Sequence, residues 1–196
     1  MKAILLKLLM ILLRNGNFMD KFFGHLKTVC NHRRLVRHYC FKCGLFWQGL
    51  THDLSKFSRI EFSNGVKYYA GGVASPHNNE RNDKGFSEAW INHKSHNKHH
   101  GEYWTDFNKD TKTYLPVPMP RKYVAEMVCD RISASRTYNG KKYNDSFPLE
   151  YFLKEQSFVV MHSKTQDDLI FLLTYLKNNG EKKTFKYIRK VYLKGK

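Results

Sequence analysis

A chain of 196 residues with 41% hydrophobic and 15% aromatic content is long enough for one substantial core and too apolar to be disordered. Its formal net charge of +17 excludes a neutral or acidic surface and favours a polyanionic partner: nucleic acid, nucleotide, phosphorylated small molecule or anionic membrane. Four cysteines at Cys30, Cys40, Cys43 and Cys129 make no secreted disulfide framework, so the expected compartment is the reducing cytoplasm.

Residues 1–17 read as an apolar extension and 18–196 as one domain. Ile4 to Leu6 and Leu8 to Leu13 are apolar, interrupted by Lys7 and closed by Arg14. The run is too short to span a bilayer, and no small-residue cleavage site follows it. It fits a surface anchor, a helix packed on the domain, or an extension ahead of Met19. A dispensable helix is the preferred reading, and a membrane partner is not expected.

From residue 18 to 48 apolar residues recur at three- and four-residue intervals, the period of a buried helical stripe, with a break expected near Gly44. Cys40 and Cys43 form a lone C-x-x-C. Without a second pair they read as buried free thiols. Thr51 is a plausible N-cap for a second helix running to about Phe62. A long loop rich in Gly, Ser, Pro and Asn follows from Ser63 to Lys84. A third helix is expected over Ser87–Tyr103, then a polar connector from Asp106 to Pro120. Further helices are expected from Arg121 to Gly140, near Pro148, over Gln166–Lys177 and from Glu181. No alternating run requires a sheet, so the expected fold class is all-α.

Thr51-His52-Asp53-Leu54-Ser55-Lys56 carries the first chemistry. Adjacent imidazole and carboxylate are an economical metal half-site, since borderline divalent ions accept both donors. The second cluster is His93-Lys94-Ser95-His96-Asn97-Lys98-His99-His100-Gly101-Glu102. On a helix His93, Asn97 and His100 would share one stripe and His96 and His99 the next. At least one of His93, His99 and His100 is expected to bind metal. Asp130 lies among Met127, Val128, Cys129 and Ile132, and an Asp in apolar company is rarely buried without a partner. Its neighbour one turn back is Glu126. His25 and His32 share a face of the first helix, and either could be the early ligand. His32 is preferred for its shorter connection to His52, and His38 faces the other way.

This order of residues resembles the HD-domain superfamily of metal-dependent phosphohydrolases, whose tetrad is His, His-Asp, Asp on separate helices. The resemblance implies an HD-like helical bundle with a long loop between its second and third core helices. It assigns the metal to His32 (or His25), His52, Asp53 and Asp130. The His99-His100 pair is similar to the additional pair of members holding two or more ions. More closely, the chain resembles an uncharacterised bacterial and phage family, through the stretches His52 to Phe62, Trp90 to Trp104, and Glu126 to Arg131. By analogy Asp53 would bind metal and accept a proton, Lys56, Lys98 and Arg131 would meet phosphate charge, and Glu102 would orient water or an imidazole.

The implied cofactor is one or two ions of Mn, Fe, Co, Ni or Zn, and the implied partner is a nucleotide or other phosphorylated small molecule. Two rival readings stand beside this one. A basic nucleic-acid-binding protein would use the surplus charge and the aromatic residues, and a metal-bearing scaffold would have no activity. The sequence leaves the oligomeric state open.

Overall fold

The apolar period from Phe22 to Cys43 is realised as the carboxyl half of one long helix, α1 (Lys2–Cys43). The computed structural model describes residues 2–72 and 74–195, with side chains from Asn17 onward. Whether the side chains of the 1–17 extension pack on the domain therefore lies outside the described residues, apart from Asn17 itself, which is exposed. Gly44 ends α1 with a φ of 81°, at the expected break.

A short helix, α2 (Phe46–Thr51), then folds back on α1. The approach is close: a Cβ on Gly49 would lie 3.0 Å from the Cβ of Cys40. Thr51 does not open the next helix. It is the last residue of α2, and its hydroxyl donates to the Trp47 carbonyl at 2.9 Å. His52 is extended and Asp53 left-handed (φ 53°, ψ 30°), so the chain turns sharply before a single 3-10 turn at Leu54–Phe57. Asp tolerates that conformation better than most residues. Ser58 caps α3 (Arg59–Lys67), its hydroxyl accepting from the Glu61 amide at 3.3 Å.

The segment expected as loop from Ser63 to Lys84 is mostly ordered helix. α3 extends to Lys67, and α4 (Pro76–Lys84) starts with proline in its first turn. Glu80 explains the order. Its buried carboxylate accepts from the Ser87 hydroxyl at 2.6 Å and from the Glu88 and Ala89 amides, capping the start of α5 (Glu88–His96).

α5 also stops short of the expected Tyr103. Asn97 takes extended dihedrals and its amide side chain donates to the His93 carbonyl at 2.7 Å, closing the helix. The expected connector contains an antiparallel hairpin, β1 (Thr105–Asn108) and β2 (Thr113–Pro116), with Phe107 opposite Tyr114. Those two rings sit 5.7 Å apart and both are exposed, so the pair stabilises the hairpin locally without an alternating buried face to mark it in sequence.

Three helices complete the chain: α6 (Arg121–Asn139), α7 (Phe147–Glu155) and α8 (Ser163–Lys190). The two last helices read from sequence are the two arms of α8, separated where expected by a kink at Gly180, whose φ of 76° and ψ of 166° suit glycine alone. Arg136 clamps that break, donating to Glu181 Oε1 through Nε (3.0 Å) and Nη2 (2.7 Å). The fold is thus mostly helical, with eight α-helices and one two-stranded sheet among the described residues.

The core forms where α1, α6 and α8 meet. Val36, Val128, Ile132, Leu169, Leu172 and Ile188 are fully buried there, with Phe152 of α7 across one end. Cys40, Cys43 and Cys129 lie in the same core as free thiols, as the lone C-x-x-C suggested, while Cys30 is free and exposed. This packing fixes α1 against α6, and with them His32 against Asp130. Among the described residues no helix is long and apolar enough to cross a membrane.

Candidate metal centre

Four segments deliver imidazoles to one carboxylate. His32 comes from α1, His52 from the turn after α2, His93 from α5 and His99 from the turn beyond it. The left-handed Asp53 places its side chain among them, and the two oxygens divide the set. Oδ2 lies 3.5 Å from His52 Nε2, 3.9 Å from His32 Nε2 and 3.5 Å from Lys56 Nζ. Oδ1 lies 3.4 Å from His93 Nε2 and 3.5 Å from His99 Nε2. Asp130 closes the first group, its Oδ1 standing 2.9 Å from His32 Nε2 and 3.6 Å from His52 Nε2.

The far nitrogens of three rings are held from behind. Glu126 Oε1 accepts from His52 Nδ1 at 2.9 Å and lies 3.3 Å from His99 Nδ1. Glu61 Oε2 accepts from His93 Nδ1 at 2.8 Å. A carboxylate on Nδ1 fixes the tautomer that leaves Nε2 bare, the usual support of a metal-bound histidine. Ser55 and Asn97 brace His93 further: the Asn97 amide donates to Ser55 Oγ at 2.7 Å and lies 3.2 Å from His93 Nδ1.

The donor atoms fit a divalent ion. His52 Nε2, Asp53 Oδ1, His99 Nε2 and His100 Nε2 are buried without a hydrogen-bond partner, a costly state for polar atoms with nothing to bind. Their candidate ligand atoms also cluster: within 4.8 Å of one another lie those of Asp53 with His32 and His52, those of Asp53 with His93, His99 and His100, and those of His52, His99 and Glu126.

Electrostatics hold the carboxylates ionised. Burial opposes charge on Asp53, but His52, Lys56, His93 and His99 outweigh it and hold the carboxyl well below the usual range. Burial likewise opposes charge on Asp130, and His32, bonded to it at 2.9 Å, with His52 3.6 Å away and His99 nearby, holds it low. Lys56 is raised, because the pull of Asp53, Glu61 and Asp130 exceeds the cost of burial. Burial, helped by His99 and His93, pushes His100 well below its ordinary value, which keeps a bare lone pair on the imidazole.

Of the candidate ligands, His32, Asp53, His93, His100 and Asp130 line a cavity of about 180 Å³. Tyr69, Pro76, Trp90 and Tyr138 contribute to the rest of its surface, with Lys56 beside the metal wall.

The structure brings together His32, His52, Asp53, Lys56, His93, His99, His100 and Asp130, as the sequence suggested, although not on the expected helical stripes. His99 and His100 arrive on a turn, and His96 is exposed and bonded to the Asn92 carbonyl. Between the two early histidines the geometry selects His32. His25 lines the cavity but packs against Gly65 and the ring of Phe62.

Three other expected site residues stand apart. Lys98 is exposed near the rings of Tyr103 and Tyr123, Arg131 pairs with Glu155 at 2.8 Å, and Glu102 makes no ion pair among the described residues. The role expected of Glu102, holding an imidazole, falls to Glu61 and Glu126. Glu126 was visible as the same-face neighbour of Asp130. Glu61 was not, because the sequence placed it near the end of a helix opened by Thr51, with nothing to set its carboxylate apart.

A long helix, a His-Asp turn and a carboxylate-bearing helix converging on buried imidazoles define a helical protein with a candidate metal centre. The chain belongs to a family of unknown function, DUF5662, whose model matches residues 21–174. That span holds every candidate ligand. No curated protein and no solved structure matches the chain.

Proposed function

We propose that the protein is a metal-dependent phosphohydrolase acting on a nucleotide or another phosphorylated small molecule. One observation carries the reading: the Nε2 atoms of His52, His93 and His99 face Asp53 from two sides while carboxylates hold their other nitrogens. The order His32, His52-Asp53, Asp130 is similar to the ligand order of HD-domain hydrolases, and His99-His100 to their additional pair. Mn, Fe, Co, Ni or Zn, as one or two ions, suits this mixture of nitrogen and carboxylate donors.

A bound ion would supply an activated water and polarise a phosphoryl oxygen. In this reading Asp53 would bind the ion and take up a proton at whichever oxygen is left free. Lys56, 3.5 Å from Asp53 and lining the cavity, would meet the negative charge of a phosphoryl group. Tyr69, Trp90 and Tyr138 offer faces for the organic part of a small substrate.

The test is metal content of the purified protein beside a His52→Ala, Asp53→Ala double variant, followed by hydrolysis of nucleotides and phosphomonoesters with Mn, Co and Ni. Stoichiometric metal lost in the variant, together with metal-dependent turnover, would support the reading. Metal absent from both after reconstitution would sink it. The surplus positive charge favours a second reading, nucleic-acid binding, which would show as affinity for mixed-sequence strands falling steeply with salt.

A further inference from the structure

From Lys21 to Ile60 the only carboxylate in the sequence is Asp53, and it is buried in the metal centre. The same forty positions carry eight lysines and arginines. Two features lie on the surface this stretch builds. On α1, Met19, Phe23, Lys27, Arg34 and Arg37 are exposed and recur at intervals of three, four and seven residues, one continuous stripe of the helix. At its carboxyl end the stripe reaches Phe41, whose ring packs 5.3 Å from that of Phe46. There the second feature starts, a ridge of Phe46, Trp47, Leu50, Leu54, Phe57 and Ile60. All six are exposed, from Phe57 at 41% to Trp47 at 72%. Arg33 ties ridge to stripe, donating to the carbonyls of His52 and Leu50 and lying over the Phe57 ring.

Six large apolar side chains in fifteen residues form a patch of the kind that marks a protein or membrane contact. We propose that this face docks on an anionic lipid surface, with the ridge entering the headgroup region and Arg34 and Arg37 meeting lipid phosphates. Charge complementarity selects this occupant over a second copy of the chain, since two such faces would oppose Lys27, Arg34 and Arg37 with Asp20 as the one exposed carboxylate of the stripe among the described residues. Aliphatic Leu50, Leu54 and Ile60 select lipid over nucleic acid, which stacks on aromatic faces but gains little from aliphatic ones. In the amino-terminal direction the sequence continues through Ala3–Leu13, apolar at every position except Lys7.

The geometry also sets how the metal centre would sit. His25, Thr28 and His32 line the cavity from roughly the opposite side of α1 to Phe23, Arg34 and Arg37. Docking by the stripe would leave that wall of the cavity turned away from the lipid.

The experiment is flotation of the full-length protein with phosphatidylcholine vesicles, with and without about a quarter phosphatidylglycerol. Alongside run a Trp47→Ser, Leu50→Ser variant and an Arg34→Gln, Arg37→Gln variant. Wild type should float with the anionic vesicles, and each variant should lose binding about tenfold or more. The arginine variant should also lose the sensitivity to salt that wild type shows between about 0.1 M and about 1 M. Absence of flotation, or flotation unchanged in the ridge variant, overturns the proposal. So does a stable dimer that the ridge variant dissociates, or binding to a mixed-sequence oligonucleotide lost in both variants without any lipid binding. Light scattering and circular dichroism on the unliganded variants establish that they are folded. The readout needs neither metal nor turnover, so it stands or falls separately from the hydrolase reading.

Discussion

His52 and Glu126, seventy-four positions apart in sequence, meet through a 2.9 Å bond from Nδ1 to Oε1 in the buried centre of the protein. The same oxygen stands 3.3 Å from His99 Nδ1. One carboxylate on α6 therefore orients an imidazole from each of two groups around Asp53. Glu126→Gln keeps the shape but can present an amide nitrogen to rings that need an acceptor. Metal affinity should fall by roughly 10- to 100-fold while the helical signal is retained. Competition with a chromophoric chelator measures it, and an unchanged affinity would show that the rings need no support from α6.

Asp53 allows a sharper test than truncation, because its left-handed backbone favours Asp and Asn. Asp53→Asn preserves that turn and removes the charge both groups share. The variant should fold, bind no stoichiometric metal, and lose the rise in melting temperature that metal gives the wild type. Adding a chelator to metal-loaded wild type should bring its melting temperature down to that of the metal-free protein. Retention of full metal content by Asp53→Asn would move the site away from this residue.

The ligands were legible in the sequence because metal chemistry selects residue types, and His52-Asp53 and His99-His100 are conspicuous as letters. Their delivery was not. The spacing of His93, Asn97 and His100 suits one helical stripe, yet Asn97 bonds back to the His93 carbonyl and ends the helix, so that a turn carries His99 inward. Glu61 was hidden because nothing local sets its carboxylate apart, and that carboxylate reaches thirty-two residues along the chain to His93. Periodicity reports local burial, and these are long-range pairings. The long-loop expectation failed for a similar reason: Glu80 organises α4 against α5 through bonds that a composition rich in Gly, Ser and Asn does not reveal.

His25 gives the protein a defined response to acid. Burial, with Lys56 adding repulsion, lowers its pKa to about 4 from an ordinary value of 6.5. The folded state resists a proton that the unfolded chain accepts, so no stability is lost above the unfolded pKa. The loss grows as pH falls through 6.5 towards 4 and is complete below 4. Between pH 7 and pH 5 this one group should cost about 2 kcal/mol. Urea denaturation of wild type and His25→Asn at both pH values isolates the effect, the variant losing less stability by about that amount. Parallel losses in the two proteins would show that the imidazole already takes up a proton in the folded state.

Gly65 is where α3 passes His25, and a Cβ there would collide with the imidazole at Nε2. The ring is flanked by Phe62, with centroids 5.3 Å apart, and by Tyr69 at 6.2 Å, which restrict the directions in which it can swing aside. Alanine also favours a helix over glycine by about 1 kcal/mol, which works against the clash. Overpacking of a well-filled site costs about 1–3 kcal/mol, and the net effect of Gly65→Ala should be destabilising. The clash is separated from other causes by a second background. In His25→Ala the collision partner is gone, and the same Gly65→Ala change should become neutral or stabilising by up to about 1 kcal/mol. Urea denaturation of the four proteins gives the coupling directly. Equal destabilisation in both backgrounds would mean that glycine is required at this position for a reason other than the approach of His25.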